Sequence, residues 1–277
     1  VARRVEYRGP TRQAGAVTWK TLPAALLSAS AVLLFVLQTP IVGYGTIVVA
    51  LALAAWLDRA LFRDLALIAA GLVIVSSVRL DADLSLGHMA AMGTALTLAV
   101  VVPYVLSRYL YRTERVIRFP VNTGVRWTRR EYAYLGFVVL LGYAILPVYL
   151  IGSGMYVNWP NAEDPSVFVR LFIGVNAVGI WDELFFVCTV FTLLLRHFPM
   201  WIANLLMAVM FSSFLWEVGY QSWGPLLTFP FAMLQAYTFT LTKSLSYVVS
   251  VHLLFDLVLF LTLVHAHNRD WLPIFIY

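Results

Sequence analysis

Five ionisable side chains lie in stretches of this sequence that are otherwise oily, and their types suit hydrolytic chemistry. Asp182 and Glu183 stand side by side in "VGIWDELFFVCTVF", Glu217 lies in "SSFLWEVGY", and His252 and Asp256 lie in "VVSVHLLFDLVLF". A charge near mid-bilayer costs roughly 2.5–3.5 kcal/mol on insertion scales, so such groups face one another or a wet cavity. His252 and Asp256 are four residues apart, which puts both on one helix face. From there Asp256 can hold the imidazole in one tautomer. Glu183 as base and His252 as hydrogen-bond donor are what water-activated amide hydrolysis requires.

Other chemistries fit less well. No H-E-x-x-H or other compact ligand spacing occurs. A divalent cation held by one His and several carboxylates is admitted but not favoured, because such sites usually rely on loop oxygens. No other cofactor is expected. Buried Asp, Glu and His also mark ion pathways, but the inverted repeats that would support a transporter are not visible. A purely structural polar network is the plainest alternative. Cys188, the single cysteine, sits among Val187, Thr189 and Val190 and reads as a buried, inert thiol.

The elements that must position these residues follow from composition. The chain has 277 residues, of which 61% are hydrophobic and 12% charged, and its mean hydropathy is +0.83. Soluble domains carry about 25% charged residues, so lipid is the expected solvent. Apolar segments at 21–39, 41–57, 64–78, 86–107, 132–153, 166–195, 199–218, 225–242 and 245–266 predict an all-α, polytopic transmembrane helix bundle. The expected count is about nine spans, with eight the nearest alternative. Segment 166–195 is too long for one simple span, and Gly174 and Gly179 suggest a break, with the membrane helix proper starting close to Asp182. Residues 1–107 offer no ionisable group at mid-membrane except His88.

The basic residues set an orientation. Seven arginines fall in 108–130 and more lie in the lead (Arg3, Arg4, Arg8, Arg12, Lys20), while "VRLDADLS" and "NWPNAEDP" are mixed or acidic. The positive-inside rule then predicts a cytoplasmic N-terminus, with the Arg-rich loop, Arg196 and Lys243 inside. The lead followed by "TLPAALLSASAVLLFVLQTP" reads as a first span rather than a cleaved signal peptide. The positive charge reports orientation and anionic headgroups, and nucleic acid is not an expected partner. Three regions are expected: 1–107 as a basic lead and four-helix membrane module, 108–131 as an Arg-rich cytoplasmic loop, and 132–277 as the membrane domain with the chemistry.

The C-terminal third resembles the CAAX-protease and bacteriocin-processing membrane proteins, the Abi or type II CAAX prenyl endopeptidase group. Three motifs carry that family: E-E-x-x-x-R, F-x-x-x-H and H-x-x-x-N/D. The first is similar to "DELFFV", with Asp182 and Glu183 for the two glutamates and Val187 where Arg is expected. The second is similar to the run from Trp216 to Tyr220, with Tyr220 for the His. The third is His252 with Asp256. The resemblance implies an intramembrane endopeptidase in which Glu183 activates water, His252 stabilises the oxyanion, Asp256 is its partner and Asp182 is a conservative replacement.

Arg170 or Arg196 would have to make up for the absent motif arginine. Glu217, three residues before Tyr220 and so on its helix face, would supply the polar function that Tyr220 lacks. A simple up-and-down path puts Tyr220 near the outer side and His252 near the inner. The expected partners are the lipid bilayer, a membrane peptide or lipidated protein substrate, and a membrane protein partner. The expected location is the plasma membrane, a bacterial inner membrane by the resemblance. The alternative in another class is a catalytically inactive member acting as a membrane scaffold, docked through the N-terminal helices.

Overall fold

A computed structural model describes residues 18–112, 114–121, 123–270 and 272–276, so Arg3, Arg4, Arg8 and Arg12 of the basic lead lie outside the described residues. The described residues are helical and contain no strand. Each apolar segment has become a helix: α1 (Thr21–Val36), α2 (Pro40–Leu57), α3 (Arg59–Val75), α4 (Leu86–Leu110), α5 (Arg129–Leu150), α6 (Pro165–Leu194), α7 (Met200–Val218), α8 (Pro225–Thr242) and α9 (Leu245–His267). Six of these, α2, α4, α5, α6, α7 and α9, are long and apolar enough to cross a membrane. The chain is an integral membrane protein. Large apolar side chains such as Ile41, Trp56, Leu140 and Leu226 are exposed, as lipid as solvent requires.

Helix starts follow local chemistry. Asp58 accepts from the N–H groups of Ala60 and Leu61 at the head of α3. Ser85 caps α4, Asp164 caps α6 just before Pro165, and Ser244 caps α9. Thr128 and Glu131 form a reciprocal capping box at α5. Each side-chain oxygen takes a backbone N–H that the first turn leaves without a partner.

The break expected near Gly174 and Gly179 does not occur. α6 runs unbroken through both glycines, and its irregularity comes later, as a π-helical stretch over Glu183–Phe191. A π segment widens the helix and rotates the side chains that follow it. Here it starts at the second carboxylate of the Asp–Glu pair. The ring of Trp181 stacks on Phe185 at 5.0 Å, and Phe186 packs against Phe211 and Phe214 of α7.

The N-terminal helices close the other side of this segment. Trp181 Nε1–H donates to the Leu96 carbonyl of α4 at 2.7 Å. A Cβ on Gly71 of α3 would run into the Phe185 ring. Ser28 of α1 donates to the Leu206 carbonyl of α7. Buried residues from both halves join one apolar core around the π segment.

Because Gly71 makes room for Phe185, Gly71→Val should destabilise by about 1–3 kcal/mol through overpacking. Gly87→Ala, where a new Cβ meets nothing within 4 Å, should leave stability unchanged. Thermal unfolding of the two variants in detergent checks both.

Candidate functional site

Beside the π segment, α9 brings His252 against α6. The imidazole is 4% exposed and Glu183 is 0% exposed. His252 Nδ1 lies 2.7 Å from Glu183 Oε1. Gln235 of α8 also donates its side-chain N–H to that oxygen at 2.7 Å, and to the Val248 carbonyl at 3.1 Å. Oε1 is therefore an acceptor, and the shared proton of the first contact sits on Nδ1. That leaves Nε2 turned toward the other two acids, 3.8 Å from Asp182 Oδ2 and 3.8 Å from Asp256 Oδ1. The ring of Phe231 meets the imidazole edge-on at 5.0 Å and limits its rotation.

Gly179, one turn before Asp182, makes this packing possible. A Cβ there would collide with Asp256 Oδ2 and approach His252 Cδ2 to 3.1 Å. Asp256 can lean across α6 only because the glycine leaves a gap.

An apolar cavity of about 250 Å³ ends on this group. Asp182, His252, Asp256, Gly179 and Tyr220 are on its wall, with Leu96, Leu146, Phe231, Phe255 and Leu259 around them. Glu183 is not on the wall, so of the adjacent Asp–Glu pair it is Asp182 that borders the cavity. Neither oxygen of Asp182 has a hydrogen-bond partner among the described residues, and Asp256 Oδ2 and Glu183 Oε2 have none either. Buried acceptors without donors are costly, and Asp182 and Asp256 both lie on the cavity wall. No group of three or more His, Cys, Asp or Glu among the described residues is arranged to hold a metal ion.

The structure separates the six sequence candidates. It brings together Asp182, Glu183, His252 and Asp256, and it adds Tyr220. The expected inner–outer separation of Tyr220 is bridged, because the cavity runs from the imidazole to the end of α7 where Tyr220 sits. Tyr220 is held by Trp159 at 5.3 Å and stacks over Tyr149 at 6.3 Å.

Glu217 does not share this face. α7 ends at Val218 and Gly219 takes a φ of +133°, so three-residue spacing no longer means one face. Glu217 instead accepts from the Leu80 N–H at 3.4 Å and is not itself on the cavity wall. Neither arginine replaces the missing motif residue. Arg170 donates to Ser166 and the Leu84 carbonyl, and Arg196 to Asp64 and Glu114. Val187, in the arginine's place, is buried with Phe239, Leu245 and Val248.

Residues 164–258 match the type II CAAX prenyl endopeptidase Rce1-like family. The matched stretch is about a third of the chain and holds all six sequence candidates and Gln235. No curated protein and no solved structure matches the chain. α1 to α5 lie outside the Rce1-like segment, yet His88, Met89, Met92 and Gly93 of α4 and Leu146 of α5 line its cavity.

Two participants were not anticipated from sequence. Gln235 is neutral, so a search for ionisable residues passes over it. Asp64, expected in a turn, is 1% exposed inside α3. Its carboxylate takes Tyr111 O–H at 2.6 Å and Arg196 Nε at 2.9 Å, and lies 2.7 Å from His197 Nε2. Burial first, then the bond to Asp64, push the Tyr111 hydroxyl above its usual range, so it remains a donor. This cluster ties α3 to the far end of α6.

Two outcomes follow. Gly179→Ala should lower stability by about 1–3 kcal/mol, against the roughly 1 kcal/mol gain that Ala brings to a helix interior. Gly174→Ala, whose nearest neighbour is 3.8 Å away, should show only the gain. Asp64→Ala should cost about 1–3 kcal/mol, because the Tyr111 hydroxyl and the Arg196 Nε lose their shared acceptor, whereas Glu114→Ala, at a side chain 62% exposed, should stay within about 0.5 kcal/mol. Unfolding midpoints of the four purified variants test both comparisons.

Proposed function

We propose that the protein is an intramembrane endopeptidase of the CAAX-protease-like type, hydrolysing a peptide bond in a membrane-associated substrate. One observation carries this reading: Asp182, His252 and Asp256 lie together on the wall of an apolar cavity, and both Asp182 oxygens and Asp256 Oδ2 have no hydrogen-bond partner among the described residues.

The reaction needs a base for water, a donor for the oxyanion and a proton for the leaving amine. Asp182 is the base in this proposal. It takes a proton from water as the water oxygen attacks the carbonyl carbon. The resulting oxyanion accepts a hydrogen bond from protonated His252 Nε2, whose other nitrogen is held by Glu183. Collapse breaks the C–N bond, and the proton held by Asp182 passes to the leaving nitrogen.

Glu183, expected as the base, here orients and charges the imidazole, as a carboxylate behind a histidine does. Gln235 fixes Glu183 in turn. Asp256 positions the imidazole from the side. Tyr220, on the same cavity wall, donates to the substrate backbone in this proposal. Of the helices before the matched segment, α4 and α5 contribute to the wall of the cavity.

A second reading has its own support. Val187 lies in an apolar cluster where the family has arginine, and Tyr220 replaces the motif histidine. A catalytically silent relative that binds a membrane protein partner would keep this fold and lose those two groups.

Purified protein incubated with membrane peptides separates the readings. Asp182→Asn and His252→Ala should each reduce cleavage by at least about 100-fold, the usual worth of a positioned acid or base. Glu183→Gln should give a smaller loss with a displaced pH profile. Wild-type protein that cleaves none of the peptides but co-purifies with a stable partner establishes the scaffold instead.

A further inference from the structure

The cavity draws its loop residues from one end of the bundle, and it also reaches the surface between α4 and α6 at Gly93, Ile173 and Ala177. Its wall residues from outside the helices are Leu80 to Leu84 of the α3–α4 loop, Trp159 of the α5–α6 loop and Tyr220 of the α7–α8 turn. These connections lie together. The Leu80 N–H donates to Glu217, Arg170 to the Leu84 carbonyl, and Asn158 to the Gly219 carbonyl. The connections at the opposite end form a second group. Asp64 joins Tyr111 to Arg196, and the Leu245 N–H donates to the Pro120 carbonyl. None of that second group is on the cavity wall.

The two ends differ in charge. The closed end carries the seven arginines of 108–130 together with Lys20, Arg59, Arg63, Arg196 and Lys243. The open end has Arg79, Arg170 and Arg269, with Arg170 engaged by the Leu84 carbonyl, and the acids Asp81, Asp83, Glu163 and Asp164. Lys and Arg beside apolar spans stay on the cytoplasmic side.

We infer that the cavity is loaded from the non-cytoplasmic face, and that its substrate is the apolar end segment of a membrane peptide presented there. This extends the proposed endopeptidase reading, although the direction of opening stands without it. His252 is seven residues into α9 from the closed end, and the cavity continues past Leu259 toward the open end. At 1.5 Å per residue, His252 and Leu259 are about 10 Å apart along the axis. An extended peptide covers that depth in about three residues. The bond to be cut therefore lies several residues beyond the rim, on a segment slim enough to enter as an extended strand. The wall favours aliphatic and aromatic side chains, since most of it is apolar, with Leu80, Met92, Leu171, Val178 and Phe255 among its residues.

Cysteine labelling tests the direction without reference to activity. The chain's only native cysteine, Cys188, is buried. Single variants Glu163→Cys, Leu84→Cys and Arg115→Cys of the full chain are exposed to a membrane-impermeant maleimide, in intact cells and after permeabilisation. Cysteines at 163 and 84 should label in intact cells, and that at 115 only after permeabilisation. Labelling of Arg115→Cys but not Glu163→Cys in intact cells overturns the inference. Where the wild type cleaves a reporter peptide, bulky modification at position 84 should abolish cleavage from outside, and undiminished cleavage overturns the proposed route. A protein that labels as expected but cleaves nothing refutes the endopeptidase reading and leaves the direction of opening intact.

Discussion

The rest of the site depends on how a carboxylate survives in an apolar interior. Glu183 is wholly buried, and it is held by two N–H donors on one oxygen, the Gln235 amide and the His252 imidazole. That pairing fixes which imidazole nitrogen faces the cavity, so the arrangement of Asp182 and Asp256 around Nε2 follows from it. Without the donors, burying the charge would cost more than a helix bundle can offset.

A π-helical stretch supplies the geometry. Two adjacent residues on a helix point about 100° apart, so the pair divides between two surroundings where the π stretch begins. Asp182 borders the cavity and Glu183 turns to α8 and α9. The stretch is costly in backbone packing, and a close aromatic casing surrounds it: Trp181, Phe185, Phe186, Phe211 and Phe214. Gly179 and Gly71 remove the two side-chain positions that this casing and Asp256 would collide with.

How much of this could be read beforehand varied with the kind of signal. The all-helical class and the helix locations came through because apolar runs and capping residues act locally. His252 and Asp256 came through because four-residue spacing on one helix is a short-range relation. Glu217 was misplaced for the opposite reason: the spacing rule assumes a helix that continues, and α7 ends at Val218. Asp64 was missed because its run, "LDRALFRD", looks like a polar turn until Arg196 and His197 arrive from 132 and 133 residues away. The π stretch has no composition of its own, and two glycines drew attention to a break that never forms. Gln235 was invisible because its role depends wholly on Glu183 being opposite it.

The bond from the Trp181 indole to the Leu96 carbonyl has a consequence for how such proteins can diverge. It places a residue of the Rce1-like segment under the control of a helix that the family match does not include. Changes in α4 would be transmitted to the carboxylate next to Trp181 without altering any motif residue. Selection can thus retune the surroundings of the Asp–Glu pair through a helix outside the matched segment, and chains with the same motifs but different early helices need not present the same cavity.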